Sequence, residues 1–224
     1  MTRLADLTWP QAREVRDAVL VVPVGSTEQH GPHLALSTDT DIATALAHRV
    51  AASRADVGVA PALPYGASGV HAGFAGTLSI GQAALELVVL ELVRSATASF
   101  RRVLVLSGHG GNAEPLARAA ALLQQEGRDA RVWSPRWRGD AHAGRTETSV
   151  QLALRPDLVG PARQAGATGS LVSLLPELRR SGVLGVSANG VLGDPAGADA
   201  GEGERLLAAA AADLGVVLDA WAAA

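Results

Sequence analysis

Four short runs of apolar, often β-branched residues punctuate the chain, at Ala18–Val24, Val57–Leu63, Val103–Ser107 and Ala130–Ser134. Each is too short and too uniformly apolar for an amphipathic surface helix, so the pattern predicts strands buried on both faces, as in a parallel sheet. Between and after them, helical stretches are predicted over 40–53, 82–99, 112–126 and 146–154, and an Ala-rich last helix over 202–222. The first of these opens at Ser37-Thr38-Asp39, which offers several N-caps. Strands alternating with helices, without a repeat or a linker, predict one α/β domain over residues 1–224, a three-layer α/β/α sandwich with a mostly parallel sheet. The turn-rich segment 185–203 reads as a long surface loop. The last helix reads as exposed and suited to a subunit contact.

Composition narrows the chemistry. Aromatic residues are only 3% of the 224, so the core is expected from Val, Leu, Ile and Ala packed between sheet and helices. Cysteine is absent, which excludes disulfides, thiolate nucleophiles and thiolate-held metals. Lysine is absent too, all 19 basic residues being Arg, so a P-loop lysine and a Schiff-base lysine are also excluded. A net charge of -3 offers no basic field for nucleic acid or anionic lipid. No long apolar run and no apolar leader-like segment occurs, and the chain reads as a soluble cytoplasmic protein without membrane or nucleic-acid partners.

Five of the six histidines fall in loops beside Gly, Asn, Thr or Asp; His48 alone sits in an apolar periodic segment and reads as structural. The densest cluster, GSTEQHGPHLALSTDTD over 25–41, follows the first predicted strand. Glu28 and His30, two apart, project to one side of an extended backbone, and Asp39 returns at the next helix. Carboxylate, imidazole and carboxylate form a divalent-metal set. A solvated loop acid, a loop hydrogen-bonder and an N-cap are the plain alternatives for the three. The second cluster, SGHGGN, puts His109 at the exit of another strand; Gly108, Gly110 and Ala113 also satisfy a GxGxxA spacing, which leaves a dinucleotide-binding oxidoreductase as an alternative. The third, HAGRTETS, carries His142 and Glu147.

All three clusters follow carboxyl ends of predicted strands, which share one crevice in an open parallel sheet. Convergence of Glu28, His30, Asp39, His109 and Glu147 there makes five N/O ligands, enough for two ions sharing a bridging carboxylate and suited to metal-assisted hydrolysis. His142 is the candidate general acid and base. No GxSxG elbow occurs to support a serine hydrolase. His71 and Trp137 are candidate substrate contacts, Asn112 a candidate oxyanion donor or helix cap, and His33 a candidate ligand-orienting group.

GSTEQHGPHLALSTDTD, YGASGVHAGFAGTLSIG, SGHGGN and HAGRTETS, in this order, resemble the motifs of the creatininase family of amidohydrolases over about residues 20 to 155. The resemblance implies an α/β/α fold with two divalent ions (zinc, iron(II) or manganese) on Glu28, His30, Asp39, His109 and Glu147, Asp39 bridging. It implies catalysis by His142, with Glu147 beside it, and a homo-oligomer. Creatininase itself carries a glutamate ligand two residues after the histidine of the third motif; here Gly111 stands there, which points away from creatinine and toward Glu147 as the replacement ligand. The remaining sequence, with RRSGVLGVSANGVLGDPAGADAGEGERL, resembles a peptide-processing branch of the family. That branch implies a peptidase cutting a ribosomal precursor peptide before its decarboxylated, cross-linked C-terminal Val-Tyr dipeptide, other small cyclic or linear amides being the alternative substrates.

Overall fold

The structure is a computed structural model and describes residues 2–223. Among the described residues five strands form one parallel sheet: β1 (Thr2–Arg3), β2 (Val19–Val24), β3 (Val57–Val59), β4 (Arg102–Ser107) and β5 (Ala130–Trp133), in the order β1-β3-β2-β4-β5. Seven α-helices accompany them: α1 (Trp9–Glu14), α2 (Thr38–Ser53), α3 (Gln82–Ala96), α4 (Ala113–Gln125), α5 (Arg145–Leu154), α6 (Leu171–Val186) and α7 (Ala200–Ala222).

The two-residue alternation of β2 sorts its side chains into two cores. Val19 and Val21 pack with Ile42 and Leu46 of α2, Leu104 and Leu106 of β4 and Leu214 of α7. Leu20, Val22 and Val24 pack on the other face with Leu85 and Val89 of α3 and Leu116 of α4. The sheet is therefore covered on both sides, and the three-layer α/β/α arrangement expected from the uniformly apolar strands is the one observed.

Three expectations need correction. The strand expected over Val57–Leu63 ends as β3 at Val59, because Pro61 has no N–H for the ladder; Leu63 returns only as an isolated bridge to Val24. Segment 185–203 is not a surface loop throughout: Val191 and Leu192 are buried, and Leu192 pairs through its backbone with His142. The final helix is not a free-standing exposed element either. Leu207, Leu214, Leu218 and Trp221 bury one face of α7 in the core, and a β-carbon on Gly203 would stand 1.9 Å from the Ser149 carbonyl oxygen, so only glycine lets α7 lie this close on α5.

The helix α6, absent from the predicted helices, is interrupted at Gly182, whose φ of 68° is open to glycine, and carries Pro176 inside it. It packs over the 3₁₀ turn Gly69–His71, with a β-carbon at 182 placed only 2.8 Å from the Val70 carbonyl oxygen. α6 thus roofs the carboxyl edge of the sheet.

Candidate dinuclear metal centre

The connections leaving β2 and β4 run to opposite sides of the sheet, β2 toward β3 and β4 toward β5. Between the carboxyl ends of two such strands a parallel sheet opens a crevice. The loop after β2 supplies Glu28 and His30, the first turn of α2 supplies Asp39, the exit of β4 supplies His109, and the first turn of α5 supplies Glu147. Asp39 and Glu147 also lie at helix N-termini, where the backbone dipoles favour negative charge. Close approach of these elements demands glycine: a β-carbon on Gly108 would stand 2.2 Å from the Asp39 carbonyl oxygen. Gly108 is spent on bringing His109 against α2, which removes the basis for reading it as a phosphate-binding glycine.

Glu28, His30 and Asp39 are all but sealed from solvent, at 0%, 0% and 2% exposure. His30 donates from Nδ1 to the Glu28 carbonyl oxygen at 3.2 Å, which leaves Nε2 facing Asp39 Oδ1 at 3.2 Å and Glu147 Oε2 at 3.9 Å. Such a backbone bond on the far nitrogen is the usual way an imidazole ligand is oriented. His109 lies between two carboxylates, with Nε2 3.2 Å from Glu28 Oε2 and Nδ1 3.2 Å from Asp39 Oδ2. Glu28, Asp39 and His109 form one group of donors close enough to hold an ion; His30, Asp39 and Glu147 form a second, and Asp39 belongs to both. Glu28, His30 and His142 make a third, overlapping group.

Several donor atoms are buried without a hydrogen-bond partner: both Glu28 oxygens, His30 Nε2, Asp39 Oδ2 and His109 Nε2. Orphaned buried polar atoms are costly, and here they cluster on the proposed ligands. The donor set, all nitrogen and oxygen, fits divalent cations. Without them, charge is badly distributed. Burial and Asp39 raise the Glu28 carboxyl above its ordinary value, while burial lifts Glu147 up to about 6. Burial opposes charge on His30, yet Asp39, Glu147 and Glu28 outweigh it and hold the ring up at about 10. Burial also opposes charge on Asp39, but His30 and His109 keep it well below the carboxylate range.

His142 and His71 complete the cluster. The His142 ring lies 4.3 Å from that of His30 and 4.5 Å from that of His71, centroid to centroid. Its Nδ1 stands 3.8 Å from Glu28 Oε1 and 3.9 Å from Glu147 Oε2. Burial, with His30 and His71 beside it, pushes His142 well below its ordinary value, so the ring is neutral. Burial, with His109 and His30, likewise takes His71 down to about 3, and its Nε2 lies 3.1 Å from Glu28 Oε1. Glu147 Oε2 accepts from the Ala143 N–H at 2.5 Å, a bond that the left-handed backbone of Ala143 (φ 52°) aims at it. His33 bonds Thr148, the neighbour of Glu147, at 2.9 Å, while His48 lies on α2 outside the cavity.

Asn112 and Trp137 do not join this group. The Asn112 amide is spent inside the fold: Oδ1 accepts from Ala67 N–H at 2.9 Å and Nδ2 donates to the Gly25 carbonyl at 3.0 Å. It neither lines the cavity nor caps α4, and it ties together the loops leaving β2, β3 and β4. Trp137, partly buried, packs against the core cluster that holds the buried residues of α2 and α7, and it is not among the residues lining the cavity. Two contributors bring no metal-ligating side chain to the site and so stand outside the donor pattern. Gln29, inside the first motif, is buried among the histidines, and α6 supplies a wall whose apolar spacing at Leu171, Leu175 and Leu178 was a readable helical signal broken by Pro176.

A cavity of about 590 Å³ opens onto Asp39, His109, His142 and Glu147. Its opposite wall is apolar, with Val70, Leu171, Leu175 and Leu178, and Arg179 stands at its rim.

A parallel α/β/α sheet whose switch point carries two thiolate-free groups of carboxylate and imidazole sharing one aspartate defines the class of α/β proteins able to hold a pair of divalent ions. Within that class the chain belongs to the creatininase family: the family model described as creatinine amidohydrolase matches residues 5–218. A curated relative from Mycolicibacterium smegmatis, named mycofactocin precursor peptide peptidase, is 52% identical over 198 residues, covering 85% of this chain and 80% of the relative. The creatinine amidohydrolase of Pseudomonas putida is 33% identical over 191 residues, 70% of this chain and 73% of its own. Among solved structures, a mutant creatininase of the Zn-Zn type superposes with a TM-score of 0.77 at 28% identity, covering 96% of each chain.

Proposed function

We propose that this chain is a metal-dependent peptidase that hydrolyses the peptide bond before the modified C-terminal Val-Tyr dipeptide of a mycofactocin precursor peptide. The observation that carries the reading is the 52% identity, over most of both chains, to a relative named as that peptidase. The cavity supports it. At about 590 Å³ with one apolar wall it suits a short stretch of peptide, far more than a small cyclic amide needs. Gly111, where creatininase has a ligand glutamate, points the same way.

Glu28, Asp39 and His109 would hold one ion and His30, Asp39 and Glu147 the other, Asp39 serving both. Zinc, iron(II) and manganese all suit this donor set, and such a pair, when bound, supplies Lewis acidity at the scissile carbonyl. The protein's own part is proton handling and placement. His142, neutral and facing Glu28 and Glu147 through Nδ1, takes the proton released by the attacking water and returns it to the leaving amine. Glu147, held by the Ala143 N–H, fixes the side of the site from which His142 works. The apolar wall of α6 excludes water from the modified dipeptide.

Action as a single domain over 1–224, a cytoplasmic location and assembly into a homo-oligomer belong to the same reading. Exposed Leu87, Val88 and Leu92 on α3 offer an apolar face for assembly, which sedimentation velocity tests.

The deciding experiment incubates the cross-linked precursor peptide with chelator-treated protein and with protein reconstituted with zinc, iron(II) or manganese. Mass spectrometry is expected to show release of the C-terminal dipeptide fragment only after reconstitution. An intact peptide with fully loaded protein overturns the substrate and leaves other amides to be screened.

A further inference from the structure

We propose that Gln29 is a positioning residue that sets which ring nitrogen carries the hydrogen in two histidines, in His71 through its buried side-chain amide and in His142 through its backbone carbonyl. The amide end is identified first. Its Oε1 accepts from the Gly31 backbone N–H at 2.9 Å, and a backbone N–H only donates, so the other end is the NH₂ group. That NH₂ has two hydrogens and three neighbours in reach: His71 Nδ1 at 2.9 Å, the Gly190 carbonyl oxygen at 3.1 Å and His142 Nε2 at 3.1 Å.

The count resolves itself at His142. Its Nε2 also lies 2.9 Å from the Gln29 carbonyl oxygen, which only accepts. His142 Nε2 therefore carries a hydrogen and donates it there, which removes it as an acceptor for the amide. Two hydrogens then meet two acceptors, His71 Nδ1 and the Gly190 carbonyl. The reverse assignment leaves the buried Gln29 carbonyl without this donor and takes a hydrogen from one of the other two acceptors, an expensive loss for sealed polar groups.

Both neutral rings are thereby fixed. His71, accepting at Nδ1, carries its hydrogen on Nε2, the nitrogen 3.1 Å from Glu28 Oε1. His142, donating at Nε2, presents a bare Nδ1 between Glu28 Oε1 and Glu147 Oε2, the atom a proton acceptor needs. Glycine at 190 makes room for the amide. Gly190 has a φ of 79°, and a β-carbon there would stand 1.9 Å from Gln29 Oε1.

The catalytic consequence rests on His142 carrying the proton; the tautomers themselves do not, so the test reads them directly. Zinc-loaded full-length protein with ¹⁵N-labelled histidine is examined by long-range proton–nitrogen correlation as wild type, Gln29→Glu and Gln29→Met. In the wild type both His71 and His142 are expected to carry hydrogen on Nε2. In Gln29→Glu an acceptor replaces the donor, so His71 gains hydrogen on Nδ1, while His142, held by the backbone carbonyl, keeps hydrogen on Nε2. Gln29→Met, which neither donates nor accepts strongly, leaves His71 a mixture of tautomers. Hydrogen on Nδ1 of His142 in the wild type, or an unchanged His71 in Gln29→Glu, overturns the proposal whether or not the protein cuts the peptide. Should Gln29→Glu fail to fold, the wild-type and Gln29→Met spectra still decide it.

Discussion

A β-carbon on residue 111 would stand 2.4 Å from His109 Nε2 and 2.7 Å from the Ala67 carbonyl oxygen; Gly111 is what leaves His109 its place between Glu28 and Asp39. A glutamate at 111, as in creatininase, cannot be added to this backbone without moving His109. Gly111→Ala is therefore expected to lose the ion of the Glu28–Asp39–His109 group and keep that of the His30–Asp39–Glu147 group. Metal analysis after reconstitution with zinc checks this, and full retention of both ions would show that the backbone yields instead.

Glu28→Ala and His109→Ala are expected to abolish both metal loading at their group and turnover. His142→Ala, which removes a neutral ring from outside the two groups built on Asp39, keeps the ions and lowers kcat by about 100-fold or more. Paired metal analysis and peptide turnover separate the two behaviours. Full activity in His142→Ala would move proton transfer to another group.

Ion uptake is expected to depend on pH with a definite sign. In the metal-free protein His30 is held up at about 10 by Asp39, Glu147 and Glu28 against the opposing effect of burial, and burial lifts Glu147 up to about 6. A ligand must shed its proton before it binds. Glu147 keeps its proton only up to about pH 6 and His30 keeps its proton through neutrality, so lowering the pH strengthens the competitor and zinc affinity rises with pH from about 6 toward about 10. Calorimetric titration with zinc in buffers of different ionisation enthalpy is expected to show proton release, and buffer-independent heats would refute it.

Asn112 is expected to matter for stability more than for substrate binding. Replacing it by Leu strands the Ala67 N–H and the Gly25 carbonyl inside the fold, at a cost of about 2–4 kcal/mol. A lowered urea midpoint with an unchanged KM is the expected pair of results; an unchanged midpoint with a raised KM would return Asn112 to the substrate.

What could be read in the chain, and what could not, follows the range of the forces involved. β2 and β4 are legible because a strand buried on both faces must be apolar at every position, and Val19–Val24 and Arg102–Ser107 nearly are. α2 is legible for the complementary reason, one apolar stripe through Ile42, Leu46 and Val50. The donors Glu28, His30, Asp39, His109 and Glu147 could be picked out because a metal set needs these residue types just past strand ends, and lysine and cysteine were absent to compete. Side-chain direction was a different matter. Nothing local separates Asn112, folded back onto Ala67 and Gly25, from a loop asparagine facing a ligand, or tells that Trp137 packs against the core.

By itself, then, the sequence determined the kind of sheet, the chemical nature of the donors and the strand ends on which they sit, since these depend on burial periodicity and residue type. Only the tertiary structure decided that α6 roofs the cavity and that the Gln29 amide lies between His71 and His142. Those depend on which strands become neighbours at the switch point and on glycines such as Gly108, Gly190 and Gly203 that let segments far apart in sequence touch, and such contacts leave no local pattern.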